Sequence, residues 1–421
     1  MAFRFLHLAD LHLATVFGGR PETKARLRDA TLEAWDAALE LAIGEELHAI
    51  LIAGDAFDDP DLDRRVELHF RRGIQRCAEA GIHVLYCCGN HDPGGAAFRA
   101  AKLDLAGEAD WQQRVHLFAK ATPKAVTITD AEGDDVGIVV GVGHSKVGVD
   151  VDLVAKLGAQ DTELPVVGLV HTQVTGARSS EDHAVYAPST RESFLQAGFD
   201  YWALGHVHRR QQVFEDLPVW YAGNLQGRSP KPSEGGPKGG LVVELEAGVP
   251  VEPRFVAFAP VTWERATIDG LEAAATTAAL IEILQQRVET IASGAEGEVC
   301  VRLIPTGPCP MSYALLNETE RKELEQELTE TTSAIEVQLR PDGLHKPRDL
   351  DEIRATPSVV AQTLQLIEEF RSGARDVGDL PIEHLAMEES GIDADSRHDY
   401  LMDLLEGLEE TYLNRALKVD A

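Results

Sequence analysis

Arg4-Phe5-Leu6-His7-Leu8 carries hydrophobic residues on both faces, the pattern of a strand buried within an α/β sheet. Leu32, Trp35, Leu39 and Ile43 then recur at helical spacing and predict an amphipathic helix over Glu22–Leu47. A second apolar run, His48–Ala53, a helix over Leu62–Ala80 and a third run, His83–Cys88, complete a strand–helix–strand–helix–strand alternation. That alternation predicts a parallel, doubly wound layer.

The middle of the chain is richer in strands. Candidates are Val115–Phe118, Ala125–Thr129, Val136–Val142, Pro165–Val170 and Phe199–Leu204, with a turn at Glu132-Gly133. A Gly/Pro-rich loop, Gly227–Gly240, precedes strands at Leu241–Leu245 and Arg254–Phe258. A loop of that length inside a compact domain points to function or disorder. Pro260 marks a boundary. Beyond it, Thr262–Ile268, Leu271–Ile291, Glu298–Ile304, Ser312–Thr331 and Ile335–Leu339 alternate strand and helix, and helices follow at Ser358–Phe370 and Ser396–Leu417. The expected organisation is an α/β domain over residues 1–261, a small α/β module over 262–340 and a helical region over 341–421.

Composition narrows the class. The 421 residues are 44% hydrophobic and 26% charged, as in a globular protein that buries a large core. No apolar run is long enough to span a bilayer, and the N-terminus lacks a signal-peptide pattern. Five cysteines without paired zinc spacing predict reduced, buried thiols and a cytoplasmic protein. The formal charge of −31 excludes a non-specific nucleic-acid coat but not a nuclease, because bound divalent metals reverse the local field. Residues 262–421 hold 33 acids against 14 bases, which favours a solvated helical face or a protein partner over a DNA track in that part.

The candidate chemistry lies where the strands end. Asp10 and His12, Asp55, Asn90 and His91, His171, and His206 and His208 each follow an apolar run. Open α/β sheets place their sites at such ends. Singly, each residue reads as a cap, a turn or a core histidine. Jointly, carboxylate, imidazole and amide oxygen without thiolate suit Mn²⁺, Fe²⁺ or Zn²⁺. Seven of these eight as ligands are too many for one ion and suit two that share a carboxylate, a pair able to activate a hydroxide and hold a phosphate. Arg209, Arg210, Arg228, Lys231 and Lys238 lie near these motifs and are candidate phosphate contacts, or surface charges paired with acids such as Glu215 and Glu234. His7 reads as packed; His48, His69, His83, His116, His144 and His183 read as structural or exposed.

Ala9-Asp10-Leu11-His12, Gly54-Asp55-Ala56-Phe57-Asp58, Gly89-Asn90-His91-Asp92, His171 and Gly205-His206-Val207-His208 resemble the motif set of the calcineurin-like metallophosphoesterases. Within that superfamily the chain resembles the SbcD-type DNA repair exonucleases, and their YhaO-like branch. That finer likeness rests on Tyr186-Ala187-Pro188, Tyr201–His206, Gly223–Arg228 and Gly236-Pro237-Lys238-Gly239. The resemblance implies a β-sandwich flanked by helices, with a capping-like module and a helical tail. It implies that Asp10, His12 and His208 hold one metal, that Asn90, His171 and His206 hold another, and that Asp55 bridges them. His91 is then the substrate-facing catalytic residue, and Asp92 orients a neighbour or the loop. Asp58 stands where archaeal and eukaryotic relatives carry a second substrate-facing histidine.

The expected activity is Mn²⁺-dependent hydrolysis of DNA phosphodiesters with an SbcC-like ATPase as partner, docked through the C-terminal helices; a homodimer is left open. The alternatives are a metallophosphoesterase for small nucleotides or phosphoproteins, and a non-catalytic scaffold. A scaffold is expected to lack ligands, and none is missing.

Overall fold

The computed structural model of the protein describes residues 2–58, 63–94, 113–176, 186–377, 401–405 and 408–416. In chain order the elements begin β1 (Phe3–Leu8), α1 (Pro21–Gly44), β2 (Ala49–Ile52), α2 (Arg64–Glu79), β3 (His83–Cys87), β4 (Val115–Phe118), β5 (Lys124–Thr129) and β6 (Asp135–Val142). Next come β7 (Val166–His171), α3 (Arg191–Ala197), β8 (Tyr201–Gly205), β9 (Gln211–Phe214), β10 (Leu217–Tyr221), β11 (Gly239–Leu245), β12 (Arg254–Ala257) and β13 (Val261–Ile268). Then follow α4 (Thr277–Ser293), β14 (Glu298–Pro305), α5 (Ser312–Leu316), α6 (Glu318–Thr331), β15 (Glu336–Leu339), α7 (Leu350–Ala355), α8 (Val359–Arg371) and a last helix, Leu408–Ala416. The expected starts at Leu62 and Ser396, and His183, lie outside the described residues.

Two six-stranded sheets form the body of the first unit. One has the order β12-β11-β1-β2-β3-β4, the other β5-β6-β7-β8-β10-β9. The single doubly wound layer expected from the alternation is therefore one parallel half, β1-β2-β3-β4, of a two-sheet sandwich. Its antiparallel edge, β11 and β12, comes from much later in the chain.

Strand alternation divides the core. Phe3, Phe5, Leu51, Leu85 and Cys87 point between the sheets and meet Val126, Val139, Val167, Leu169 and Tyr201. Leu6, Leu8, Ile50, Ile52, Val84 and Tyr86 point the other way and pack with Trp35, Leu39, Phe70 and Ile74 of α1 and α2. The outer face of the second sheet packs Val170, Trp202 and Leu204 with Phe194 of α3. Both faces of β1, β2 and β3 are thus buried, as their uninterrupted apolar runs demand. Burying one such Leu, Ile or Phe contributes about 1.5–3 kcal/mol, so this layering fixes where the strand ends emerge.

The β9–β10 hairpin and α3 escape the pattern. Gln211-Gln212 is polar, Pro218 stands inside β10, and the pairing has a bulge between Leu217 and Trp220. The helix expected over Ser312–Thr331 is two helices. Asn317 interrupts it, its side chain accepting from the amides of Thr319 and Glu320 to cap α6.

Beside the three regions expected from the sequence pattern, with limits at residues 261 and 340, the fold divides into two compact units. One comprises residues 1–265, 291–301 and 334–336, the other 266–290, 302–333 and 337–421. The divisions at 265 and 301 fall inside strands β13 and β14, where no turn or proline signals them. In the second unit, Leu401 and Leu405 pack with Phe370 and Val377, while Leu404 and Leu408 remain exposed. All five cysteines are free and buried. Among the described residues, no helix is long and apolar enough to cross a membrane.

Candidate active site

The parallel strands β1, β2, β3, β7 and β8 deliver the expected residues to one end of the sandwich. Past the strand ends the backbone ladder continues: Asp10 N donates to Gly54 O at 3.1 Å, His12 N to Asp55 O at 3.0 Å and Leu13 N to Ala56 O at 2.9 Å. This zips the turn after β1 to the turn after β2. His206 N donates to both carboxylate oxygens of Asp10 at 3.1 Å, tying the turn after β8 to the same place.

These turns are strained. Asp10, His12, Asp55 and His206 have φ of 50°, 45°, 48° and 106°. A non-glycine residue in that region costs on the order of 1–3 kcal/mol and persists only where its surroundings over-determine it. Two glycines make the close approach possible. Gly54 has φ +88°, and a Cβ there would lie 2.3 Å from His171 Nδ1; a Cβ on Gly205 would lie 1.8 Å from Ala53 O.

The strain gathers acceptors against acceptors. His171 Nδ1 donates to Ala53 O at 2.9 Å, which leaves Nε2 as the lone-pair nitrogen. That nitrogen faces Asn90 Oδ1 at 3.0 Å and Asp55 Oδ2 at 3.3 Å. His206 Nδ1 lies 3.2 Å from the same Asn90 oxygen. On the other side, His208 Nδ1 donates to Glu234 Oε1 at 2.8 Å, and His12 Nδ1 lies 3.0 Å from Asp58 Oδ1. Both rings then turn their Nε2 atoms toward each other, 3.2 Å apart. Asp10, His12 and His208 form one compact group, and Asp10, Asp55 and His171 another. Asp10 is the carboxylate common to the two groups; Asp55, expected as the bridge, belongs to the second.

Such clusters are costly unless a cation satisfies them, so the donor set fits two divalent metals. The protonation behaviour agrees. Burial pushes the His12 imidazole down to about 3, helped by the Arg228 charge, so it is neutral and ready to ligate. Burial also works against a charged His171, yet the Asp55 carboxylate outweighs it and holds that ring up at about 9. A proton there supplies the positive charge that a cation would otherwise bring. The carboxyl of Asp10 is raised by its burial; that of Asp55, despite burial, is held well below the usual range by His171.

A third group, His12, Asp58 and His91, has a different character. Asp58 Oδ1 accepts from Arg228 NH1 at 3.1 Å and lies 3.0 Å from His12 Nδ1 and 3.2 Å from His91 Nδ1, which donates to the Asp58 carbonyl at 3.3 Å. Donors face an acceptor, so this group needs no metal. His91 is the exposed member, 42% accessible in its side chain, with its ring 5.1 Å from that of His12. Its amide donates to Asp55 Oδ1 at 2.9 Å.

Asp92 is buried and accepts from the amides of Ala56 and Gly89 at 2.6 and 2.8 Å, and from the Tyr86 hydroxyl. It therefore locks the loop after β3 to the turn after β2. Burial and the nearby Asp55 push its carboxyl up to about 6. His7 is buried between Tyr201 OH and Leu204 O, both at 3.1 Å, and takes no place in the ligand set.

Three residues have roles that the pattern did not reveal. Glu234 is not a surface acid. It is buried, orients His208, and accepts from Asn224 Nδ2 at 2.6 Å and from Arg228 N at 2.9 Å. Although burial opposes ionisation, the His208 contact holds its carboxyl well below the usual range. His144 is buried behind His171, with Nε2 2.8 Å from the His171 carbonyl. Lys238, a candidate phosphate contact, is buried; its Nζ donates to His208 O at 2.8 Å and Ser233 O at 2.6 Å, and desolvation lowers it to about 8. Glu234 and Lys238 follow no apolar run, the one signal the pattern offered. His144 does stand two residues past β6, and that position could have marked it. Arg209 and Arg210 are exposed, with Arg210 lying over the Phe255 ring at 3.5 Å.

A family profile described as calcineurin-like phosphoesterase matches residues 3–210. The chain is 31% identical over 312 residues to the uncharacterized metallophosphoesterase YhaO of Bacillus subtilis, covering 73% of this chain and 72% of that protein. It is 25% identical over 246 residues to a component of the nuclease SbcCD of Escherichia coli K12, covering 52% of this chain and 60% of that one. Over 89 residues it is 36% identical to the DNA double-strand break repair protein Mre11 of Aeropyrum pernix, 21% of each chain.

Glu234→Ala removes the acceptor that fixes the His208 tautomer. It is expected to weaken metal binding about 10–100-fold, the usual effect of losing such a partner, while Glu234→Gln, which keeps an acceptor oxygen, loses less. Isothermal titration with Mn²⁺ measures this, and an unchanged affinity in the alanine variant would remove Glu234 from the site.

Proposed function

Because the chain belongs to the calcineurin-like metallophosphoesterases, we propose that it is a metal-dependent nuclease hydrolysing DNA phosphodiesters in DNA repair, with Mn²⁺ as its metal. The family membership makes it a phosphoesterase. Two further observations support the finer reading: the clustering of the expected ligands, and the similarity to proteins named as part of a nuclease and as a double-strand break repair protein.

In this reading Asp10, His12 and His208 would hold one ion, Asn90, His171 and His206 would hold the other, and Asp55 would be shared between them. When bound, the pair polarises the phosphate and lowers the pKa of water. The chain's own contribution is orientation. Glu234 and Ala53 O fix the tautomers of His208 and His171. Asp58 engages His91 through Nδ1, so Nε2 is the atom that delivers a proton to the leaving oxygen. Arg228 stands at the same rim, held by Asp58, where an incoming phosphate can compete for it.

The partner in this reading is an SbcC-like ATPase that docks on the C-terminal helices. Support comes from Leu404 and Leu408, which stay 48% and 37% exposed beside the packed Leu401 and Leu405. Leu404→Glu with Leu408→Glu is expected to abolish co-purification with that ATPase while leaving hydrolysis of small diesters intact. Retained co-purification would refute the docking face.

His91→Asn is expected to keep both metals and slow DNA cleavage about 10²–10⁴-fold. Assays with Mn²⁺ would offer an oligonucleotide and bis(p-nitrophenyl) phosphate in parallel. Loss of metal in the variant would make His91 a ligand, and a wild-type protein that hydrolyses only the small ester would overturn the nuclease reading.

A further inference from the structure

The polypeptide around His208 has two sides of opposite charge. On one side, Nδ1 meets the Glu234 carboxylate and Nε2 faces His12. On the other side, the His208 carbonyl accepts from Lys238, and a cavity of about 300 Å³ opens between residues 208–210, 222–224 and 232–239. That volume stands at the lower end of small-molecule pockets, roughly 300–1,000 Å³.

Its wall is cationic. Arg209, Arg210 and the buried Lys238 line it, with Asn224, Ser233 and Phe255 between them, and among the described residues no carboxylate-bearing side chain is part of the lining. Glu234 lies between two lining residues, Ser233 and Gly235, yet its carboxylate is committed to His208, Asn224 and Arg228. In a chain of net charge −31, Arg76, Arg191 and Arg254 each reach an acid. Arg209 and Arg210 reach none among the described residues. Arg210 is instead laid flat on Phe255, which occupies the guanidinium face and leaves its edge donors available. Lys238 spends two of its three N–H donors on carbonyls.

We propose that this cavity is a phosphate-binding subsite, distinct from the metal-ligand cluster and joined to it through His208. A phosphate oxygen would be met by the edges of Arg209 and Arg210 and the remaining donor of Lys238. The phosphate has two possible sources: the backbone next to the scissile bond, which rests on the nuclease reading above, or free phosphate, which does not.

The test uses the full-length protein with Mn²⁺ and the double variant Arg209→Ala/Arg210→Ala. If the source is the strand, KM for an oligonucleotide rises about tenfold and its salt dependence flattens. Kinetics with bis(p-nitrophenyl) phosphate, which has no adjacent phosphate, stay within about twofold. If the source is free phosphate, the oligonucleotide KM holds, but inorganic phosphate raises the Tm of the wild type by more than that of the variant, which keeps only the metal-bound phosphate. A wild type that cleaves only the small ester would end the nuclease reading, and the thermal shift alone would then decide the subsite. Equal damage to both substrates, or no change in KM and no lost thermal shift, would overturn it.

Discussion

The site depends on one electrostatic conflict: lone pairs converge in a buried place and call for positive charge between them. His171 Nε2 confronts Asn90 and Asp55, and His12 Nε2 confronts His208 Nε2. The reach of each ring is set from behind, by Ala53 O, Asp58 and Glu234, so none can turn away to relieve the repulsion. In a buried setting such contacts need positive charge between them, from a cation or, at His171, from a proton. The group that involves Asp58 shows the contrast, since a guanidinium and two imidazoles surround one carboxylate oxygen there. Donor geometry, more than residue type, separates metal positions from the rim where His91 stands.

The rest of the fold reads as the means of imposing that conflict. The two sheets share one inner core, which brings the ends of β1, β2 and β3 opposite those of β7 and β8. Backbone bonds from Asp10, His12 and His206 then pin the turns in left-handed conformations that these residues would not adopt alone. Gly54 and Gly205 remove the side chains that would hold the sheets apart. Asp92, far from solvent, secures the turn after β2 to the loop after β3.

Much of this was legible in the sequence, for a definite reason. Strands buried on both faces announce themselves as apolar runs, and polar residues at their ends stand out against them; Asp10, Asp55, Asn90, His171 and His206 were found that way. His144 obeys the same rule after β6, but with no motif around it, it looks like any other core histidine. Features set by tertiary geometry were not legible. Glu234 is an acid in a glycine-rich loop, and nothing in its neighbours says that it folds back onto His208. Two strands of the second sheet were hidden, because β9 is polar and β10 is broken by Pro218. Lys238 looked like a surface base because sequence conveys charge but not depth.

The central claim is that the facing acceptors are a two-cation site. Elemental analysis of the protein equilibrated with Mn²⁺ and freed of excess metal tests it directly, on the wild type and on Asp55→Asn. The account predicts two ions per chain in the wild type and at most one in the variant, which loses a charge opposite His171. One ion or none in the wild type, or two retained by Asp55→Asn, would contradict it.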